Sequence, residues 1–343
     1  MSADGKSSAE KGSAEKGSAE TGTVAVVAIG RNEGERLERC LRSLVGQADR
    51  IVYVDSGSTD GSVDFARSLG VKVVELDMST PFTAARARNA GFEALKEDGL
   101  PDYVQFVDGD CAVEPGWIDA GREALDADET LGIVTGWRTE IEPDATVYNA
   151  MCEVEWHRPA GEIVACGGDM MVRTEIFQRV GGFNPTVIAS EDDELCLRVG
   201  KAGKRIVRLP KIMTRHDANM TRFVEWWQRT VRNGHGFAEV GRMHPPHFQA
   251  ERRRVVFYGG VLPGLALVAT ATGVWIAIPG IGAIYFLSWA KTVKGLVELG
   301  LSPREAAHQA VYLTLSKIPN MQGMLTYYRR RLLGREARII EYK

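Results

Sequence analysis

The chain has few cysteines, little net charge and no glycine-rich dinucleotide motif, and each shortage excludes a class of protein. Its five cysteines are scattered and form no Cys-x-x-Cys pair, which argues against a disulfide framework or a zinc site and favours a reducing compartment. A formal net charge of −3 gives no electrostatic footprint for nucleic acid, so we expect no such partner. No Gly-x-Gly-x-x-Gly follows the first predicted strand, which disfavours a dehydrogenase.

Two segments lack the residue types that a globular domain requires. Residues 5–22 carry a short Lys/Ser/Ala/Glu repeat without one large apolar residue, so residues 1–22 are predicted to be a disordered tail. Residues 255–290 contain no charged residue. Because about 20 residues cross a bilayer, this length predicts a hydrophobic membrane hairpin that turns near Gly273. A buried helical pair or a re-entrant hairpin is the alternative.

Residues 23–220 alternate between apolar strands and amphipathic helices. Strands are predicted at residues 23–29, 50–54, 71–76 and 103–107, with helices at 35–45, 60–69 and 81–95 between them. This alternation predicts an α/β fold with a mainly parallel sheet flanked by helices. Active sites of such sheets lie beyond the carboxyl ends of the strands, and Asn32-Glu33, Asp55 and Asp108-Gly109-Asp110 all follow strands.

Asp108 and Asp110 close the fourth predicted strand. Residues i and i+2 of an extended chain share a face, so the two carboxylates can hold Mn²⁺ or Mg²⁺, which in turn neutralises a diphosphate. Capping of an Asp-Gly turn is the alternative. His216 is a candidate for a further metal ligand, with a structural role as its alternative.

Four consecutive carboxylates, Glu191-Asp192-Asp193-Glu194, stand at the start of a predicted helix. The helix dipole favours acidic residues there, but four exceed what a helix start needs. Their repulsion predicts a cation, an arginine or a raised pKa nearby. Arg86 and Arg88 of the third helix are candidates to pair with phosphate or with the Asp108 and Asp110 carboxylates, and solvated surface positions are the alternative.

Together these motifs resemble the family 2 glycosyltransferases of the GT-A fold. The matching motifs occur in the family's order over roughly residues 24–217: Val27-Ala28-Ile29-Gly30-Arg31-Asn32-Glu33, residues 55–61, Arg88-Asn89-Ala90-Gly91, Asp108-Gly109-Asp110, Gly181-Gly182-Phe183-Asn184 and Glu191-Asp192. The resemblance implies transfer of a sugar from a UDP- or GDP-linked donor with inversion at the anomeric carbon. It implies that Asp55 binds the nucleoside, that Asp108 and Asp110 bind the metal and the diphosphate, and that Asp192 is the general base.

The expected substrate-binding residues extend beyond these motifs. They are Asn32, Glu33, Asp55, Arg86, Arg88, Asp108, Glu191, Arg229 and Arg232. The family's processive synthases carry Gln-x-x-Arg-Trp, whereas residues 226–233 read Trp-Trp-Gln-Arg-Thr-Val-Arg-Asn, without that spacing. We therefore expect addition of a single sugar. Arg229 and Arg232 are candidates to reach the diphosphate, and packing against the membrane is an equally good account.

The flanks of the uncharged stretch predict where the protein lies. Arg252-Arg253-Arg254 precedes it and Lys291 and Lys294 follow, which keeps both ends cytoplasmic under the positive-inside rule. We expect residues 221–254 to form an aromatic and basic interfacial segment and residues 291–343 a basic amphipathic region that contacts membrane lipid. The predicted location is the cytoplasmic membrane, with the catalytic domain facing the cytoplasm.

A membrane-associated carboxyl end predicts a glycan or lipid-linked acceptor, in envelope polysaccharide or glycolipid synthesis. Two competing functions are weaker. A nucleotidyltransferase needs a glycine-rich phosphate loop with a basic residue, which Gly30-Arg31-Asn32-Glu33-Gly34 matches poorly. A non-catalytic membrane scaffold that keeps the GT-A fold is the alternative from another class, and the intact carboxylates argue against it.

Overall fold

The computed structural model describes residues 21–334. Most of the predicted N-terminal tail (residues 1–20) and the end of the basic C-terminal region (residues 335–343) lie outside the described residues. The strands are β1 (Val24–Gly30), β2 (Arg50–Asp55), β3 (Lys72–Glu75), β4 (Tyr103–Asp108), β5 (Cys111–Val113), β6 (Leu131–Glu140), β7 (Gly161–Ile163), β8 (Met170–Arg173) and β9 (Arg205–His216).

Between residues 21 and 334, thirteen α-helices connect the strands and form the carboxyl-terminal third. They are α1 (Glu35–Leu44), α2 (Ser62–Ser68), α3 (Ala84–Lys96), α4 (Trp117–Ala127), α5 (Val147–Trp156), α6 (Thr174–Arg179), α7 (Glu191–Lys201), α8 (Phe223–Met243), α9 (Gln249–Arg254), α10 (Leu262–Thr272), α11 (Ala277–Glu298), α12 (Pro303–Leu315) and α13 (Lys317–Leu332). A π-helical segment, Val255–Val261, joins α9 to α10.

The strands form one nine-stranded sheet in the order β3-β2-β1-β4-β8-β6-β9-β5, with β7 also paired to β9. The first four strands of that order run parallel, as the βαβ pattern predicts. Strand β8 runs antiparallel to both β4 and β6, and β5 and β7 run antiparallel to β9. The predicted α/β fold is confirmed, and the sheet is mixed because β8, β5 and β7 run opposite to the other strands.

Both faces of the sheet are covered, which is why β1 and β4 are almost continuously apolar. Helices α3 and α7 pack on one face and α1 and α4 on the other. Helix α3 packs tightly against β1 at Gly91. A Cβ there would lie 2.3 Å from Cγ1 of Val27 in β1, so only a glycine fits at this distance. Each large apolar side chain buried in these layers contributes about 1.5 to 3 kcal/mol to folding.

Helix α3 begins later than the sequence pattern predicts. The Thr83 hydroxyl accepts a hydrogen bond from the Arg86 amide at 3.1 Å, and the helix starts at Ala84. Pro81, which was expected in the first turn, therefore lies before the helix. A threonine cap satisfies a free amide of the first turn, which Pro81 cannot do.

The uncharged stretch forms α10 and α11, and Gly273, with φ 74°, ends α10 at the predicted turn. Among the described helices, the continuous segment Gln249–Thr272 alone is long and apolar enough to cross a bilayer, with a mean hydropathy of 1.7 and 17% of its most apolar window buried. Helix α11 continues past Lys291 and Lys294, which lowers its hydropathy. Insertion of the hairpin into a membrane stays a prediction.

Helices α8 and α13 interlock through glycines. A Cβ at Gly234 of α8 would lie 2.0 Å from the Asn320 carbonyl oxygen, and a Cβ at Gly323 of α13 would lie 2.0 Å from that of Val231. The two backbones therefore touch at a distance that only glycine allows. Helix α8 is thus fixed between the carboxyl-terminal helices and the sheet domain.

Candidate active site

A cavity of about 760 Å³ opens at the carboxyl ends of β1 and β4, against the amino-terminal end of α7. Every site residue predicted from the sequence lines it except Asp55 and Arg86: Asn32, Glu33, Arg88, Asp108, Asp110, Glu191, Asp192, His216, Arg229 and Arg232. The two acidic clusters, some eighty residues apart in the chain, therefore face a common space.

The remaining two predicted residues support loops beside the cavity. Asp55 is buried, and its carboxylate accepts hydrogen bonds from the Tyr53 hydroxyl at 2.9 Å and from the amides of Gly57 and Ser58 at 2.9 and 2.8 Å. Arg86 donates to the carbonyl oxygens of residues 77, 80 and 81. Both side chains stabilise loops that carry cavity-lining residues. Contacts of Asp55 and Arg86 with the donor stay predictions.

Arg88 connects the two acidic clusters. It is 2% exposed; its Nη2 lies 2.6 Å from Oδ1 of Asp108 and its Nη1 lies 2.8 Å from Oε1 of Glu191. Burial works against the guanidinium charge, but the two carboxylates outweigh it and raise the arginine pKa. Burial likewise opposes ionisation of Asp108, yet Arg88 and Arg138 together hold its pKa below the ordinary value.

Arg138 and Asp169 complete this buried network and were not found from the sequence. Nη2 of Arg138 lies 2.9 Å from Oδ2 of Asp169, which also accepts from the Thr214 hydroxyl at 2.9 Å. The other oxygen of Asp169 accepts from the Asp108 amide at 2.9 Å. One feature of the sequence could have indicated Asp169: it is an acidic residue between Gly167-Gly168 and the apolar strand β8. A carboxylate that is buried beside such a strand needs a positively charged or hydrogen-bonding partner.

Asp110, which follows the end of β4, faces a histidine. Nε2 of His216 lies 3.4 Å from Oδ2 of Asp110, and Nδ1 of the same ring lies 3.7 Å from Oε2 of Glu140. The His216 ring also packs edge-on against Trp156, with 4.5 Å between ring centroids. The Glu140 carboxylate thus lies beside the second nitrogen of the ring at ion-pair distance, not at hydrogen-bond distance.

Ligand atoms of Asp110, Cys111 and His216 lie within 4.8 Å of one another, which is close enough to hold one metal ion. Burial, reinforced by Asp169, raises the pKa of the Cys111 thiol, so the cysteine stays protonated. Hard divalent cations prefer oxygen and imidazole nitrogen to sulfur. The donor set thus fits Mn²⁺ or Mg²⁺ through Asp110 and His216, while the Asp108 carboxylate is engaged by arginine.

Asp192 lies half-buried in the first turn of α7. Burial, followed by the charges of Glu191 and Asp193, raises its pKa to about 8. The preceding Ser190 has a left-handed backbone, with φ 59°, which turns the chain into the helix. A Cβ on Gly167 would lie 3.9 Å from Oδ2 of Asp192, so the carboxylate is covered by backbone on that side.

Helix α8 holds the loop that leads into Asp192. The Ile188 amide donates to Oε2 of Glu239 at 3.4 Å. A Cβ on Gly236 would lie 2.6 Å from Oγ of Ser190, so the helix backbone contacts the loop directly. The position of Asp192 therefore depends on α8.

The other lining residues form local pairs. Arg229 pairs with Glu155 at 3.1 Å, and Nη2 of Arg232 lies 4.0 Å from Oε2 of Glu191. The Asn32 side chain accepts from the Thr59 amide at 2.8 Å, which ties the loop after β1 to the loop after β2. In the loop after β1, Glu33 pairs with Arg36 at 2.8 Å.

Comparison with known families identifies the domain that carries this cavity. The family model described as glycosyl transferase family 2 matches residues 25–180, and the N-terminal domain of galactosyltransferase matches residues 146–222. Residues 25–180 thus carry a family 2 glycosyltransferase domain. The resemblance predicted from the motifs is thereby confirmed.

Individual relatives are distant. Pre-mycofactocin glycosyltransferase of Mycobacterium tuberculosis is 27% identical over 266 residues, 73% of this chain and 53% of that protein. Glycosyltransferase AglE of Haloferax volcanii is 24% identical over 230 residues, 63% of this chain and 73% of that protein. This chain thus spans about half the length of the mycobacterial relative.

Solved structures bear out the fold. The mannosyltransferase PcManGT of Pyrobaculum calidifontis, solved in complex with GDP-Man and Mn²⁺, superimposes with a TM-score of 0.59 at 17% identity, over 90% of this chain and 87% of that one. Residues 1–349 of Staphylococcus aureus TarS superimpose with a TM-score of 0.50 at 16% identity, over 90% and 92% of the two chains. The predicted GT-A architecture is confirmed by this likeness.

Proposed function

We propose that the protein transfers one sugar from a nucleotide-diphosphate sugar to an acceptor hydroxyl, with inversion at the anomeric carbon. One observation carries the proposal: Asp192, a carboxylate with a pKa of about 8, lines the same cavity as Asp110 and His216. A base and a candidate cation site that face a common space are what a metal-assisted displacement at C1 requires.

In this proposal the nucleotide-sugar donor binds on the side of the cavity that contains Asp110 and His216. These residues would hold a divalent cation, Mn²⁺ or Mg²⁺, and when bound the cation neutralises part of the diphosphate charge. Glu140 lies beside the other nitrogen of the His216 ring, while Arg229 and Arg232 line the cavity wall, each beside a carboxylate. Manganese in the complex of PcManGT with GDP-Man supports both the cation and a GDP- or UDP-linked donor.

Asp192 is assigned the role of general base. Its carboxylate takes the proton from the acceptor hydroxyl as the hydroxyl oxygen attacks C1 of the donor sugar. The bond from C1 to the diphosphate oxygen breaks, and the nucleoside diphosphate leaves with the bonding electrons. Attack from the face opposite the leaving group inverts the anomeric carbon. A pKa of about 8 makes Asp192 a stronger base than an ordinary aspartate at neutral pH.

The acceptor is assigned to a glycan or a lipid-linked glycan at the cytoplasmic face of the membrane. Apolar side chains of α10 and α11 remain exposed, Leu267 at 72% and Leu287 at 66%. Trp289 of α11 donates to the Ala307 carbonyl oxygen of α12, and α12 packs on α5, which ends beside the cavity at Trp156. This continuity from an apolar surface to the cavity supports a role in envelope polysaccharide or glycolipid synthesis.

Calorimetric titration of the detergent-solubilised full chain with UDP and with GDP, each with and without Mn²⁺, tests the proposal. We expect one nucleotide to bind in a metal-dependent manner and Asp110→Ala to abolish that dependence. Asp119→Ala, which removes an exposed carboxylate of α4, is the matched control and keeps it. A folded protein that binds neither nucleotide would favour the non-catalytic scaffold.

A further inference from the structure

One cavity arginine differs from the others in its surroundings. Arg208 of β9 lines the cavity, and its Nη1 donates to the Pro159 carbonyl oxygen at 3.3 Å. Its Nε is buried and has no hydrogen-bond partner among residues 21–334. The guanidinium is therefore held in the cavity wall with part of its donor capacity unused.

Charge compensation is also missing at this position. Five of the six other cavity arginines have a carboxylate within 4.0 Å: Arg36, Arg88, Arg138, Arg229 and Arg232. The sixth, Arg31, stacks on the Phe82 ring. Within the described part of the chain, no carboxylate lies at that distance from Arg208 or from the neighbouring Arg158. Burial lowers the Arg208 pKa, and the positive charge of Arg158 adds to that effect. Arg208 therefore stands in the cavity wall without a carboxylate in ion-pair range, and the exposed Arg158 adds a second positive charge nearby.

The backbone around both arginines is fixed. Strand β7 pairs with β9, with Gly161 opposite Arg208, and the Trp137 indole donates to the Arg158 carbonyl oxygen at 2.7 Å. The segment that carries Arg158 is thereby tied to the sheet at both ends. An anion that binds here meets preorganised donors, which lowers the entropic cost of binding.

Arg208 lies away from the metal cluster. It pairs in the sheet with Thr135 of β6, whereas His216 pairs with Glu140, five residues further along β6. That separation corresponds to about 16 Å between the two backbone positions. The uncompensated arginine thus marks a different part of the cavity from the proposed donor diphosphate.

We propose that Arg208, assisted by Arg158, binds a phosphate group of the acceptor. This inference rests on the proposed function and narrows its acceptor to a phosphorylated molecule. A guanidinium with free donors and no carboxylate partner is suited to phosphate, which it recognises through paired N–H donors. The phosphate can belong to a soluble sugar phosphate or to a prenyl-phosphate carrier, and the test separates these two sources.

The test uses the full chain in detergent with its nucleoside diphosphate and Mn²⁺ at saturation, so that the donor positions are filled. Four probes are titrated by calorimetry: glucose 1-phosphate, farnesyl phosphate, and the uncharged counterparts glucose and farnesol. We expect at least one phosphorylated probe to bind about tenfold or more tightly than its counterpart. Preference for farnesyl phosphate indicates a lipid carrier, and preference for glucose 1-phosphate indicates a soluble acceptor. Equal preference for the two indicates that the site recognises the phosphate group alone.

Variants connect that preference to the arginines. Arg208→Met keeps the length of the side chain and should remove the preference, Arg208→Lys should retain part of it, and Arg158→Gln should weaken it by a smaller factor. Arg205→Gln is the matched control on β9, because Arg205 is exposed and already paired with Asp128 and Glu162. Arg158→Gln also serves as the test if Arg208→Met does not fold, because Arg158 is exposed.

The two proposals fail separately. A protein that binds nucleotide with metal but shows no preference for either phosphorylated probe would overturn the phosphate subsite and leave the transferase intact. An unchanged preference in Arg208→Met, or an equal loss in Arg205→Gln, would also overturn the subsite. Absence of metal-dependent nucleotide binding would instead overturn the proposed function itself.

Discussion

Arg88 and Glu191 form a buried ion pair across 103 positions of sequence, with 2.8 Å between Nη1 of the arginine and Oε1 of the glutamate. The same guanidinium contacts Asp108, so one cation neutralises a carboxylate of each acidic cluster. The proposed donor side and the proposed base side of the cavity therefore share one structural connection.

Replacement of Arg88 should be far more damaging than that of its neighbour Arg86. Arg88→Met leaves two carboxylates facing each other in a buried site, and removal of one partner from a buried ion pair costs about 3 to 5 kcal/mol. Arg86→Met, the control on the same helix, removes hydrogen bonds to carbonyl oxygens and should cost about 1 kcal/mol. Urea unfolding at pH 7 measures both. Equal destabilisation by the two variants would contradict the bridging role of Arg88.

Asp192→Asn should reduce sugar transfer about 10²- to 10⁴-fold, because the amide cannot accept the proton of the acceptor hydroxyl. Binding of nucleotide and metal should be retained, as Asp110 and His216 are untouched. Asp193→Asn is the adjacent control, and we expect its turnover to stay within a few-fold, because that carboxylate faces His247 at 3.4 Å. Steady-state kinetics with both variants measure the effect, and preserved turnover in Asp192→Asn would exclude it as the base.

Transfer should increase with pH. A base works only when deprotonated, and burial with the neighbouring carboxylates raises the pKa of Asp192 to about 8. The value of kcat/KM should therefore increase about tenfold per pH unit below 8 and level off above it. Measurement between pH 6 and pH 9 at fixed metal concentration checks this expectation. A profile that is flat from pH 6 upward would contradict a raised pKa at the base.

Asp192 should also make the folded protein less stable in alkaline conditions. Its folded pKa of about 8 exceeds the ordinary 3.8, so the unfolded chain loses this proton first and stability decreases as pH rises between those values. Asp192→Asn should therefore raise the free energy of unfolding at pH 9 by about 1 to 2 kcal/mol, since the group is only half-buried. At pH 4 the two proteins should be equal. A difference at pH 4 that matches the one at pH 9 would rule out this origin.

The contact between α8 and α13 should tolerate no added methyl group. In Gly323→Ala the new Cβ would meet the Val231 carbonyl oxygen, and the helices must separate. We expect a loss of at least about 2 kcal/mol in the free energy of unfolding. Gly200→Ala is the control: that glycine lies inside α7 with nothing within 4 Å of a Cβ, so the change should add about 1 kcal/mol of stability. Thermal unfolding of the solubilised chain compares them.

Much of the first half of the fold could be predicted from local patterns. The strands before Asn32 and Asp108 are apolar runs of ordinary length, and their carboxyl ends supply Asn32, Glu33, Asp108 and Asp110 to the cavity. The repulsion among residues 191–194 correctly predicted compensation, which the structure provides through Arg88, through Arg198 beside Glu194, and through the raised pKa of Asp192.

The rest depends on contacts between distant residues. Asp169 and Arg138 lie in a region without regular alternation, and their pairing follows from β8 entering the sheet antiparallel between β4 and β6. No local pattern states which arginine remains unpaired, so Arg208 could not be distinguished from the many other arginines of the chain. The start of α3 shows the same limit at short range. The sequence pattern predicts Pro81 in the first turn, whereas the helix begins after Thr83, because the cap depends on a single hydroxyl.

Gly168 lines the cavity outside the recognised motifs, and a Cβ there would lie 2.1 Å from Nη2 of Arg88. One methyl group at this position would displace the guanidinium and leave Asp108 and Glu191 to repel each other. A substitution at Gly168 should therefore disturb the same network that Arg88→Met removes.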